Sequence, residues 1–151
     1  MEIGGMNHPG ESLQREIAWM AEMKLDFIDL TLEPPAAATW QLRPAEVSAM
    51  LRDHGLGVVG HTAFYLPIAS SFESLRRAAV DELKRAVEFF AKIGAKWMNL
   101  HPDGHAPFVE ERAIVLRNID SLREIVEFAQ PLGVGVMLEN VPGRFNTALQ
   151  L

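Results

Sequence analysis

The chain has 151 residues, of which 48% are hydrophobic and 23% charged, so its composition predicts a single globular domain spanning residues 1–151. Its formal net charge of −6 and its lack of a basic cluster disfavour nucleic acid as a partner, because phosphate backbones bind basic surfaces. Since the chain has no cysteine, disulfides and thiolate metal ligands are excluded, and any metal ion must be held by His, Asp or Glu.

The N-terminal part of the chain predicts a strand, a loop and a helix. It has no basic region of a signal peptide, and no apolar run in the sequence approaches the ~18 residues of a membrane span. We therefore predict a cytoplasmic protein without a membrane partner. Residues 2–6 form a short apolar run that suits a strand, and His8 follows it in a loop marked by Pro9 and Gly10. Residues 11–24 then place apolar side chains at helical spacing.

The second unit pairs a strand with a helix, and a third strand follows. Residues 26–33 alternate apolar and polar side chains and stop before two prolines, so Glu33 is predicted at the carboxyl end of a strand. A helix is predicted over residues 44–54, because proline suits its first position and glycine follows its last. Residues 58–63 are predicted to form the third strand, which carries His61 near its carboxyl end.

A long helix is predicted in the centre of the chain. Ser70-Ser-Phe-Glu73 matches a capping box, and Gly94 is placed to end the helix. The apolar residues between these signals trace one predicted buried face: Phe72, Leu75, Ala79, Leu83, Ala86, Val87, Phe90 and Ile93.

The fourth strand is predicted over residues 97–100. It delivers His101 onto a loop of Pro, Asp and Gly, and α/β proteins place much of their chemistry on such loops. His105 lies in the same loop, and Pro107 opens the next predicted helix. The buried stripe of that helix is predicted to contain Leu116, Ile119, Leu122, Val126 and Ala129.

The fifth strand is predicted over residues 134–141 and contains Glu139 and Asn140. Alternation of apolar strands with helices predicts a parallel sheet, which leaves two architectures open. A chain of this length suits a doubly wound five-stranded sheet, while a (β/α)8 barrel usually needs about 250 residues. The positions of the polar residues favour the barrel, because they end several successive strands, as at the carboxyl-terminal rim of a barrel.

Four short motifs in this order resemble the xylose-isomerase-like TIM-barrel superfamily, which contains sugar-phosphate isomerases and epimerases and endonuclease IV. The motifs are Asp29-Leu-Thr-Leu-Glu33, Gly60-His61-Thr62, Asn99-Leu-His101-Pro102 and Leu138-Glu139-Asn140. The resemblance implies a barrel with divalent metal ions, often zinc or manganese, at its rim. Ligands from later strands have no counterpart before Leu151. We therefore expect a partial barrel that is truncated after strand five.

The resemblance also implies roles for individual residues. His61, His101 and Glu139 correspond to metal ligands, and Glu139 is also the expected catalytic carboxylate. Two imidazoles and one carboxylate match the donor set of a catalytic zinc site, which keeps one position open. Glu33, His105, Asn140 and His8 are the expected substrate-binding residues.

Three hypotheses about function follow. A bound ion could polarise a sugar carbonyl for proton transfer, or activate water for hydrolysis. We expect a metal-dependent sugar or sugar-phosphate isomerase or epimerase, with a small-molecule sugar as its partner. The alternatives are a zinc-dependent phosphodiester hydrolase of the endonuclease IV type and a barrel fragment without activity. The acidic composition disfavours the hydrolase.

An incomplete barrel predicts self-association, most simply as a two-fold dimer. Its inner face and its last strand would lack partners, and uncovered apolar edges pair with other chains. Only about half of the apolar strand residues can point inward, because side chains alternate between faces. The candidates are Ile28, Leu30, Val59, Met98, Leu100, Val136 and Leu138.

Overall fold

The computed structural model describes residues 1–104, 108–143 and 145–149, so the predicted site residue His105 lies outside the described residues. The strands are β1 Gly4–Met6, β2 Phe27–Leu32, β3 Gly57–Thr62, β4 Trp97–Leu100 and β5 Gly135–Leu138. The helices are α1 Leu13–Glu22, α2 Pro44–His54, α3 Glu73–Ile93 and α4 Glu111–Ala129, and a short 3-10 helix, Gln130–Leu132, follows α4. Among the described residues, no helix is both long enough and apolar enough to cross a bilayer.

The five strands form one parallel sheet in the order β1-β2-β3-β4-β5. Strands that follow one another in the sequence therefore pair with each other, as in a (β/α)8 barrel. A doubly wound sheet reverses its strand order at a switch point, and this sheet has no such reversal. The predicted partial barrel is confirmed, and the doubly wound alternative is wrong.

One face of the sheet is covered by the helices. Ile28, Leu30, Met98 and Leu100 point toward the helices and are at most 1% exposed. Val136 and Leu138 also pack against this core. Of the seven candidates for the inner face, only Val59 lies on the opposite face, which its register with Asp29 establishes. The other six were wrongly nominated for the inner face, because the helix-facing positions of the strands are the apolar ones.

The opposite face of the sheet, which we call the open face, is not covered by any helix of the described residues. Its apolar residues are Met6, Phe27, Val59, Trp97 and Met137. Met6 and Trp97 are each 52% exposed. The ring of Phe27 lies against Gly4 and the ring of Trp97 against Gly135, each glycine being the register partner on the neighbouring strand. These aromatic rings occupy the space that a side chain on the glycine would need.

Helix α3 approaches strand β3 closely at Gly60. A methyl group at Gly60 would lie 2.7 Å from the Cδ2 and Cε2 atoms of Phe90, a ring that is fully buried. Glycine in a strand often marks such a close approach. The glycine therefore sets the distance between α3 and the strand position that precedes His61.

The start of α3 differs from the prediction. Phe72 is the N-cap residue, and its backbone N–H donates to the Ser70 hydroxyl at 3.2 Å, so the predicted capping box does not form. Phe72 and Leu75 are exposed. The rest of the predicted apolar face, from Ala79 to Ile93, is buried as expected.

Helix α4 buries only part of the predicted face: Ala129 is buried and Leu122 packs against the core, as expected. Leu116, Ile119 and Val126 are exposed. The buried positions are Ile114, Asn118, Ser121, Ile125 and Ala129. Two of these are polar and hold loops in place by hydrogen bonds. Asn118 exchanges two bonds of 2.9 Å with the backbone of Asp103, and the Ser121 hydroxyl donates to the Ile68 carbonyl at 2.6 Å.

Candidate metal centre

Three predicted ligands meet at the carboxyl ends of three neighbouring strands. His61 lies near the end of β3, His101 directly follows β4, and Glu139 directly follows β5. Parallel strands bring their carboxyl ends to the same edge of a sheet. One potential ligand atom from each residue lies within 4.8 Å of the others. The three side chains therefore point to one place.

The two imidazole rings face each other through their Nε2 atoms. The distance between His61 Nε2 and His101 Nε2 is 3.0 Å, and the ring planes are inclined by 43°. His61 is buried and His101 is half-buried. Two nitrogen lone pairs at this distance would repel each other, so a proton or a cation must lie between them.

Two further polar residues contact the ligands, and our sequence analysis gave neither of them a role. Asp29 Oδ2 lies 3.1 Å from His61 Nδ1. The side-chain amide of Asn99 donates to the Glu139 carboxylate. Both residues lie inside strands, on the face opposite the apolar core positions. Strand alternation was the available signal, since it separates Asp29 from the apolar Ile28 and Leu30.

The environment shifts the pKa values of the two histidines in opposite directions. Burial opposes the charged form of His61, but the hydrogen bond to Asp29 and the charges of Asp29, Glu139 and Glu33 together raise the pKa of His61. Burial and the nearby His61 lower the pKa of His101, and Glu139 only partly compensates. The two rings are therefore electrostatically distinct, and His101 is the more easily deprotonated of the two.

The trio borders a cleft of about 670 Å³. Glu33 and Asn140, both predicted substrate-binding residues, line this cleft, as does the exposed ring of Phe64. Glu33 accepts a hydrogen bond from Tyr65; burial, this bond and the charge of Glu33 raise the pKa of Tyr65.

The predicted substrate-binding residue His8 does not line the cleft, although its neighbour Pro9 does. Instead, His8 Nδ1 accepts a hydrogen bond of 3.1 Å from the Gly10 backbone N–H, and the His8 N–H donates to Glu16 at 2.9 Å. These contacts make His8 part of the turn into α1, so its expected contact with substrate is unsupported by its position.

The donor set fits a divalent cation. Two imidazole nitrogens and one carboxylate oxygen match the ligands of catalytic zinc sites. Buried polar atoms normally have hydrogen-bond partners, yet Asp29 Oδ1 and Thr31 Oγ1 are buried without one among the described residues. Asp29 contacts His61, and Thr31 is the register partner of His61 on the neighbouring strand.

Comparisons with known proteins agree with this architecture. Residues 17–150 match the family model described as xylose isomerase-like TIM barrel. The chain is 28% identical over 117 residues to the protein named Probable endonuclease 4 from Thermotoga maritima. This alignment covers 72% of this chain and 40% of that relative.

Two solved structures share the fold. The D-allulose 3-epimerase from Methylomonas sp. has a TM-score of 0.84 at 18% identity, covering 99% of this chain and 56% of its own. A D-tagatose 3-epimerase-like protein has a TM-score of 0.84 at 25% identity, covering 95% of this chain and 54% of its own. The chain thus spans about half the length of the proteins that it matches. With its sequential parallel sheet and a family match over most of its length, the chain belongs to the xylose isomerase-like TIM barrel family.

Proposed function

We propose that His61, His101 and Glu139 bind a divalent metal ion, zinc or manganese, and that the protein acts on a sugar or sugar phosphate as an isomerase or epimerase. The observation that carries the proposal is the convergence of three ligand atoms within 4.8 Å at the edge of a cleft. The likeness to structures named as epimerases supports the choice of reaction. The chain spans about half the length of those proteins.

The roles of the residues follow from their positions. A divalent ion bound here would supply a Lewis acid that polarises a carbonyl oxygen. Glu139 is exposed to the cleft, and Asn99 holds one of its carboxylate oxygens. Glu33, with Tyr65 as its hydrogen-bond donor, provides a second carboxylate in the same cleft. Glu139 and Glu33 are therefore the groups proposed to move a proton beside the carbonyl.

Phosphodiester hydrolysis is the second candidate, and the relative named Probable endonuclease 4 favours it. The same trio could bind the zinc ion of a hydrolase, because a metal ion can also activate water. The net charge of −6 counts against a nucleic acid substrate. We therefore place hydrolysis second.

Zinc binding is the first test. We expect the chain to bind zinc in isothermal titration calorimetry and the His101→Ala variant to lose this binding, because His101 supplies one of three ligands. The control is His54→Ala, since His54 is exposed at the end of α2, outside the cleft. Zinc binding that is unchanged in His101→Ala would exclude this site.

Activity assays separate the candidate reactions. Epimerisation next to a carbonyl exchanges a carbon-bound proton, so we expect metal-dependent deuterium incorporation from solvent into a ketose, measured by NMR. Cleavage of an oligonucleotide with an abasic site would instead support the hydrolase. Zinc binding without either reaction in the 151-residue chain would support the third reading, a metal-binding fragment without activity.

A further inference from the structure

The loop after β3 carries two adjacent aromatic residues, Phe64 and Tyr65. Phe64 is 55% exposed, and its ring lines the cleft that the proposed metal ligands border. A single exposed apolar side chain is ordinary on a protein surface, but this ring lies in the same cleft as the three ligands. Phe64 is therefore placed to contact whatever the cleft binds.

The backbone of this loop is held on both sides of the aromatic pair. Ala63 is buried before the pair, and Ile68 and Ala69 are buried after it. The Ser121 hydroxyl donates to the Ile68 carbonyl at 2.6 Å, and the Ala69 N–H donates to Asp103 Oδ2 at 3.1 Å. The exposed aromatic residues thus extend from a loop that two other segments of the chain hold in place.

The second ring of the pair connects Phe64 to a carboxylate. The rings of Phe64 and Tyr65 meet edge to face, with centroids 5.4 Å apart and planes inclined by 81°. This is a favourable arrangement for two aromatic rings. The Tyr65 hydroxyl donates a hydrogen bond to Glu33, which also lines the cleft. One loop therefore links an apolar ring surface to a hydrogen-bond acceptor.

We propose that Phe64 is a substrate-binding residue whose ring packs against the carbon-bound hydrogens of a sugar, while Glu33 accepts hydrogen bonds from the sugar hydroxyls. This inference rests on the proposed action on a sugar. A sugar has apolar C–H faces and hydroxyl groups at its edges, so it needs both kinds of surface. The cleft offers apolar surface at Phe64, Val141 and Pro142, and polar groups at Glu33 and Asn140.

Saturation-transfer NMR with D-fructose, in the presence of zinc, tests this contact. This sugar is uncharged, which suits a cleft whose described lining residues include Glu33 and Glu139 but no lysine or arginine. When the aromatic protons of the wild-type chain are irradiated, we expect saturation to reach the carbon-bound protons of the sugar. This measurement requires no variant to fold.

Variants of Phe64 separate the ring from its apolar area. Phe64→Leu keeps an apolar side chain without a ring, so we expect the saturation transfer to fall and fructose binding to weaken by about 2- to 10-fold, the range that aromatic contacts contribute beyond buried area. Phe64→Trp should retain both signals. The control is Phe72→Leu, which removes the same ring from a residue that is 73% exposed at the N-cap of α3, outside the lining of the cleft. We expect wild-type binding in this control.

The outcomes separate this inference from the proposed function. Equal fructose affinity and equal saturation transfer in wild type and Phe64→Leu would overturn the inference while sugar binding stood. Weaker self-association of Phe64→Leu with unchanged fructose binding would also overturn it, because the ring would then contact a second copy. A wild-type chain that bound no fructose would overturn the inference too. Zinc binding and deuterium incorporation would still decide the proposed function.

Discussion

At the scale of single residues, Gly60 links the core to the candidate metal centre. It directly precedes His61, and the buried ring of Phe90 occupies the space next to its Cα atom. We expect Gly60→Ala to lower the free energy of unfolding by about 1–3 kcal/mol, because an added methyl group in a packed core forces neighbours to move. Urea denaturation monitored by circular dichroism measures the loss.

A second substitution identifies the cause. Phe90→Leu removes ring atoms that the new methyl group would meet, so we expect the double variant to be more stable than the sum of the two single effects predicts. Additive losses would show that Gly60 is needed for another reason.

The sequence singled out His61, His101 and Glu139 because each ends or follows an apolar run, and the family resemblance implied that they bind a metal ion. It assigned no role to Asp29 and Asn99, because a polar residue inside a strand could face either a solvated surface or a site. The sheet register resolves this ambiguity by placing Asn99 beside His61 on one face. His8 also follows a predicted strand, as the proposed ligands do. Its ring, however, is held by the local turn at Gly10 and does not line the cleft.

At the scale of elements, helix α4 shows where hydrophobic periodicity fails. Its apolar residues suggest a face that includes Leu116, which is 51% exposed. The true inner face carries Asn118 and Ser121, because these side chains bind the loops after β4 and before α3. Hydrogen-bonding needs of distant loops cannot be read from the spacing of apolar residues.

Matched alanine substitutions test the orientation of α4. Ile125 is fully buried, so we expect Ile125→Ala to lower the free energy of unfolding by about 2–5 kcal/mol. Leu116→Ala should change it by no more than about 0.5 kcal/mol, as is usual for surface positions. Chemical denaturation of the two variants gives both values. A larger loss for Leu116→Ala than for Ile125→Ala would contradict the orientation described above.

Other elements were predicted residue for residue. The predicted bounds of α2, residues 44–54, match the structure, because Pro44 opens the helix and Gly55 ends it with a φ of 68°. The bounds of β4, residues 97–100, also match. Strand β5 is shorter than predicted, Gly135–Leu138 instead of 134–141, so Glu139 lies just beyond the strand. Proline and glycine at the ends of a segment thus predict the bounds of a helix or strand better than its apolar content does.

At the scale of the whole molecule, the chain exposes more surface than expected for its mass. Its accessible surface is 8805 Å², whereas a compact monomer of 16.8 kDa is expected to expose about 7,700 Å². The excess of roughly 1,100 Å² is comparable to one partner's share of a protein interface. The open face contributes to this excess through Met6 and Trp97.

We therefore expect the 151-residue chain to self-associate through its open face, with a second copy as the partner. Sedimentation velocity at micromolar concentration should detect the dimer. Trp97→Arg should weaken association, because it places a charge on the open face. Trp40→Arg is the control, since Trp40 is 70% exposed on the helix side of the sheet. A monomer of 16.8 kDa with a cooperative melt would refute this expectation.

The order of strands was predictable at this scale, because alternating β and α segments permit few arrangements. The extent of the open face was less predictable. The sequence shows which residues are apolar, but only the sheet shows that most of them face the helices and that Met6, Trp97 and Met137 lie on the other side.

The stacking of Trp97 on Gly135 gives the open face an optical signal of its own. The indole is half in contact with its neighbouring strand and half in water, so its fluorescence emission responds to whatever covers that face. The other two tryptophans, Trp19 and Trp40, are also exposed and would mask the signal unless both are replaced by phenylalanine. In that single-tryptophan chain, the emission wavelength reports how much water a partner excludes from the open face. The measurement works at concentrations too low for sedimentation.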